Sequence, residues 1–140
     1  MVMKNKTKYD EFKSFVTYID VLTYALALIG EEQFNSDPIP WHAAVYEIWK
    51  KYRTIIPELD KIYFTHRPPL PPQSVQVDRL VKVMTMSHEI SLPNPRFPTI
   101  DMDKDKREKI KQREKNRLDK YSTYISDISE ILKSRISVHA

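Results

Sequence analysis

Apolar residues recur at steps of three and four along the first thirty positions: Phe12, Phe15, Val16, Ile19, Leu22, Leu26 and Ile29. That is the period of an amphipathic helix, and Gly30 follows where a helix C-cap glycine belongs. Residues 31–40 are polar and read as a loop. Pro38 or Pro40 can open the next helix, because proline in the first turn gives up no hydrogen bond. That second helix is predicted from about Trp41 to Ile55. Trp41, Ala44, Val45, Ile48, Trp49 and Tyr52 form its apolar face, and Pro57 ends it. A short helical turn is expected at Glu58–Tyr63.

The pattern then breaks at Arg67-Pro-Pro-Leu-Pro-Pro, where four prolines exclude helix and central strand and predict an extended, polyproline-like connection. Ser74 is a suitable N-cap for a third helix over Val75–His88. Val77, Leu80, Val81 and Met84 make its core face. From Ile90 the period shortens. Ile90-Ser-Leu92 and Arg96–Met102 read as two arms of a β-hairpin around Pro93-Asn-Pro95. The remainder, Asp103 to Ile136, reads as one long helix. Its second half carries a seam at Tyr121, Ile125, Ile128, Leu132 and Ile136. These steps of four, three, four and four suit packing on the body or on a partner helix.

Composition narrows the function. The chain has 140 residues, ten prolines, one glycine and no cysteine. A single glycine cannot build a P-loop or a dinucleotide-binding fingerprint. The absence of cysteine removes disulfides, zinc ribbons and thiol nucleophiles. The most apolar stretch, Val21–Ile29, falls far short of the ~20 residues that a bilayer span needs. An intracellular, cytoplasmic protein without a membrane span is the expectation.

The four histidines, His42, His66, His88 and His139, show no spacing that pairs two of them on a metal. No Ser/His/Asp set is identifiable, and Asp101, Asp103 and Asp105 are accounted for by a helix start. We therefore expect no catalytic residues, no metal and no cofactor.

Charge points elsewhere. The net charge is +4, yet residues 104–120 alone hold nine Lys/Arg against four Asp/Glu. Phosphate neutralisation would be sought there first, at Lys106, Arg107, Lys109, Lys111 and Arg113. Gln76, Arg79 and Lys82 share one side of the third helix and are residue types suited to base edges in a groove. Arg96 lies near the hairpin tip.

The order of helix, helix, short helix, helix, hairpin and long helix resembles archaeal winged-helix (helix-turn-helix) transcription regulators. The resemblance rests on Ile19–Gly30, on Pro38-Ile-Pro-Trp leading the second helix, on the proline-rich lead into Ser74, and on Glu89-Ile-Ser-Leu-Pro-Asn-Pro-Arg-Phe-Pro-Thr-Ile as a wing. It covers residues 15–102, after a basic arm at 1–14 and before a C-terminal helix at 103–140. It implies a mainly α fold with a small β-hairpin. It also implies a recognition helix at 75–88 contacting double-stranded DNA, and a homodimer paired through 121–136. Two other readings use the same helices. A four-helix bundle with a lysine-bearing arm resembles the DNA-packaging coat proteins of filamentous archaeal viruses. An adaptor would bind another protein through its long helix without nucleic acid.

Overall fold

The first turn of α1 (Tyr18–Ile29) is set by Thr17 and Asp20. The Asp20 carboxylate accepts from the Thr17 backbone N–H at 3.0 Å and from its hydroxyl at 3.3 Å. At the other end Gly30 takes a left-handed φ of 81°, which closes the helix without the steric cost another residue would meet. The computed structural model describes residues 16–91 and 99–138. Helix α1 starts at Tyr18, and the part of the predicted first helix before Val16 lies outside the described residues.

The polar stretch after Gly30 is more than a loop. Gln33–Asn35 forms β1, which pairs antiparallel with β2 (Thr99–Asp101) in the register Gln33 to Asp101, Phe34 to Ile100 and Asn35 to Thr99. Asp101 also exchanges two 2.8 Å backbone hydrogen bonds with Ser91. The expected hairpin arms are thus joined at Ser91 and Asp101, while Thr99–Asp101 of the later arm also pairs with β1. On the other side of β1, Phe34 bridges to Ser137. The buried Phe34 inside a polar run is the residue that required a strand here.

Helix α2 (Pro38–Tyr52) begins earlier and ends earlier than the apolar spacing suggests. Asp37 caps it by accepting from the Ile39 N–H at 3.0 Å, and Pro38 occupies the first turn. A 3₁₀ turn follows at Pro57–Lys61. The proline segment is not a straight connection. The Leu70 N–H donates to the Arg67 carbonyl at 2.9 Å, and Thr65 and Gln73 bond each other across the base, so 65–73 is a closed loop. Helix α3 (Val75–Met86) ends in a Schellman arrangement: the Glu89 N–H reaches Met84 and the His88 N–H reaches Thr85. His88 fills the left-handed position at φ 58°, with no glycine there.

The single long C-terminal helix does not form. Helix α4 (Lys104–Glu114), capped by Asp103, ends after three turns. The chain turns through a 3₁₀ segment at Asp119–Tyr121 and restarts as α5 (Ser122–Ile136). Leu118 is fully buried and anchors the break. With the break, α5 packs antiparallel to α2 and lies against α1, and α4 packs against α1. The described residues are mainly helical, with a small antiparallel sheet at one edge and one hydrophobic core.

Candidate nucleic-acid interface

Helix α3 sits at the periphery, and its burial divides as its sequence predicts. Val77, Leu80 and Met84 point into the core, Val81 is half-buried, and Arg79 and Lys82 are exposed. Neither Arg79 nor Lys82 has an ion pair among the described residues. Gln76 differs from them. Its Oε1 accepts from the Tyr63 backbone N–H at 3.2 Å and from the Ser74 hydroxyl at 3.1 Å. The Gln76 side chain therefore organises the start of α3. Arg96 lies outside the described residues.

The N-terminus of α3 is pinned by a histidine. Ser74 precedes the helix, but its hydroxyl does not cap it. Instead its backbone N–H donates to His42 Nδ1 at 2.9 Å. Nδ1 must then carry no proton, so Nε2 bears the hydrogen and donates to Asp78 Oδ1 at 2.9 Å. His42 is buried, and it joins α2 to both ends of the first turn of α3. Replacing it with alanine should leave the Ser74 N–H without a partner and cost about 1–3 kcal/mol. His42→Asn, whose amide oxygen stands near the Nδ1 position, should recover part of that loss. Amide hydrogen exchange at Ser74 reads the difference directly: fast exchange in the alanine variant, and slowed exchange in the asparagine variant.

The basic run on α4 is largely occupied. Lys106 approaches Asp103 at 3.9 Å, Lys111 pairs with Glu108 at 3.3 Å, and Arg113 pairs with Glu89 at 2.9 Å and Glu114 at 3.4 Å. Arg107 is half-buried, with one guanidinium nitrogen shielded from solvent and unbonded. Lys109 is exposed and has no ion pair among the described residues. Five residues that look like one cationic stripe in the sequence are thus separated by structure. Lys109 faces solvent unopposed, while Lys106, Lys111 and Arg113 have carboxylates beside them.

Beneath this run lies a buried charge cluster. Glu114 has no solvent exposure, and its Oε1 is gripped by Arg117 and Arg113. Arg117 also reaches Asp20 at 3.5 Å. Burial raises the Glu114 carboxyl above the usual carboxylate range, and the nearby Asp20 adds to the effect, with Arg117 and Arg113 offsetting part of it.

The seam on α5 is filled from within the chain. Ile125, Ile128, Leu132 and Ile136 have no exposure, and Tyr121 is buried with 8% exposure. They belong to the same core as α1 and α2. The Tyr121 hydroxyl donates to Glu58 at 2.9 Å, and burial followed by that carboxylate pushes its pKa up to about 12. A partner helix has no access to these five side chains while that core is closed.

No protein-family model, curated protein or solved structure matches this chain. No helix of the described residues is long and apolar enough to cross a membrane. Among them no cluster of His, Asp and Glu is placed to hold a metal ion.

One cluster went unread in the sequence. Tyr46 and Trp49 on α2 meet Phe64 and His66 from the segment after the 3₁₀ turn, with ring centroids 5.1–5.9 Å apart. The His66 ring also lies 3.3 Å from the Tyr46 hydroxyl at Nδ1. Lys50 lies over Tyr46 at 5.1 Å and Arg53 over Trp49 at 4.4 Å. The local clue was Lys50-Lys-Tyr-Arg53 just after Trp49. Nothing in the spacing tied Phe64 and His66 to it.

Proposed function

We propose that this chain is a non-catalytic DNA-binding protein of winged-helix architecture, with α3 as the helix offered to the major groove. The observation that carries the reading is the pairing of Ser91 with Asp101, behind which β2 pairs with β1. It sets Ser91 and Asp101 side by side just after the end of α3, where a wing would be rooted. Arg79 and Lys82 on α3 are exposed and unopposed, which leaves them available to a base edge or a phosphate. The ion pairs along α4 speak against a coat protein that neutralises phosphate chiefly through residues 104–120. Transcriptional regulation is the process that fits site-selective binding of this kind.

The test is selection from a pool of random duplexes, followed by salt titration on the winner and on random DNA. The selected site should bind ~10³-fold tighter than random DNA. Arg79→Ala with Lys82→Ala should lower its affinity ~10-fold or more and flatten the salt dependence by about two charges. A selection that converges on no motif, or unchanged affinity in the double variant, would refute the role given to α3.

A further inference from the structure

We propose that the outer face of α2, from Tyr46 to Arg53, binds a nucleotide, either free or as a unit of a single strand. The face has the two chemistries that such a ligand needs. A cleft of about 550 Å³ opens between α2, α5 and the proline loop, lined in part by Tyr46, Glu47, Lys50, Lys51, Pro72 and Arg135. Its volume falls within the range of small-ligand sites. Three of those residues are cationic and one is anionic, and with Asp127 beside Lys51 the cleft keeps an excess of one positive charge, which favours an anion.

Two of the three cleft cations are paired with carboxylates, as most of those on α4 are, and Lys50 is left to supply the free charge. Lys51 is anchored by Asp127 at 2.7 Å and Arg135 by Glu47 at 3.2 Å, each across the α2–α5 groove, and both side chains remain about half exposed at 56% and 49%. Lys50 has no carboxylate partner among the described residues and rests on the Tyr46 ring. Among the described residues Arg53 likewise has no carboxylate partner and lies over the Trp49 ring. The helix dipole accounts for lysines in the last turn of α2. It does not account for the four aromatic rings gathered beneath them, of which Trp49 and Phe64 pack against the main core while Tyr46 and His66 stand beside it. Exposed cations interleaved with aromatic rings are the arrangement that holds phosphates while a base stacks alongside. On α4, by contrast, cations stand without rings.

This site does not depend on duplex binding by α3, and the experiment separates the two. The full chain is titrated by calorimetry, at low salt, with ATP, with inorganic triphosphate and with a short oligothymidylate. Tryptophan fluorescence is followed in parallel. Trp41 is buried in the core at 2% exposure, so quenching reports on Trp49. The nucleotide probes should bind and quench. Triphosphate should bind several-fold more weakly than ATP, because it lacks a base. ATP binding tighter than the oligonucleotide assigns the site to free nucleotide, and the reverse order assigns it to a strand.

Lys50→Ala and Arg53→Ala should each weaken binding by ~3–10-fold. Neither residue supports a buried group, so folding should persist, as circular dichroism can verify. Arg79→Ala with Lys82→Ala should leave ATP binding unchanged, even if it abolishes duplex binding. Three results would overturn the proposal: no binding by any probe at ~1 mM, the weak end of specific affinity; equal affinity for triphosphate and ATP; or unchanged affinity in both the Lys50 and Arg53 variants.

Discussion

Removing residues 121–140 should unfold the chain, and Leu132→Ala alone should cost about 2–5 kcal/mol. A helix that served only to pair two copies could be cut away and leave a folded monomer. Here Ile125, Ile128, Leu132 and Ile136 have no solvent exposure within one chain. At roughly 1.5–3 kcal/mol for each fully buried aliphatic side chain, the four together represent roughly 6–12 kcal/mol of burial. That is comparable to the whole stability of an ordinary domain, about 5–15 kcal/mol. The loss would also expose Val21, Leu22, Ala25 and Leu26 on α1 and Ile48 on α2, which share the core with α5. The Ser129 hydroxyl donates to the Ala25 carbonyl at 2.8 Å, and that carbonyl would lose its donor too. Urea unfolding of Leu132→Ala at several protein concentrations is the measurement. The midpoint should fall by the same amount at every concentration. A concentration-dependent midpoint, with the truncated chain still folded, would instead place the seam between two copies.

The same seam shows what the sequence could and could not express. The spacing of Tyr121, Ile125, Ile128, Leu132 and Ile136 identified a buried stripe. A stripe looks the same whether a chain's own helix or a neighbour's covers it. The break at residues 115–121 decides the question by letting α5 turn back along α2. The signal for that break is weak. No proline or glycine marks it, and the charged residues around it are good helix formers. Burial of Leu118 and the Tyr121–Glu58 hydrogen bond fix it through tertiary contacts.

Local chemistry was legible where one residue settles the backbone. Gly30 and Pro38 mark ends that the structure confirms. Strand β1 was hidden, because Phe34 is the one strongly apolar residue in a polar run and its partner lies sixty-six residues later at Ile100. His88 was placed in a helix for a similar reason: the left-handed position after α3 normally advertises itself with glycine. The candidate interface divides in the same way. Arg79 and Lys82 were readable from helix phase. Gln76, Lys106, Lys111 and Arg113 were not, because their partners cannot be inferred from phase alone.

Arg117→Met should destabilise the chain by about 3 kcal/mol near neutral pH, although Arg117 lies on a surface-like stretch of sequence. Glu114 beside it is fully buried, and one of its oxygens has no hydrogen-bond partner among the described residues. Removing Arg117 strips that carboxylate of its closest counter-charge and relaxes the hold on Asp20 at the start of α1. Adding Glu114→Gln should recover much of the loss, since a neutral amide needs no counter-charge; adjacent residues of this kind typically couple by about 0.5–3 kcal/mol. The pH dependence carries the decisive sign. Burial, reinforced by Asp20, raises the Glu114 carboxyl above its unfolded value, so the folded chain holds that proton more tightly. Stability from Glu114 is therefore complete below its unfolded pKa and is lost as pH rises through the folded one. Asp127 acts in the opposite sense. The hydrogen bonds from Lys51 and Tyr52 lower it, so its contribution is lost as pH falls through its folded value. Thermal unfolding of Arg117→Met should thus approach wild-type behaviour as pH falls through the raised Glu114 pKa, and diverge as pH rises above it. A deficit that is the same at every pH would mean that Arg117 acts by packing, and that Glu114 does not govern how α4 is held to α1.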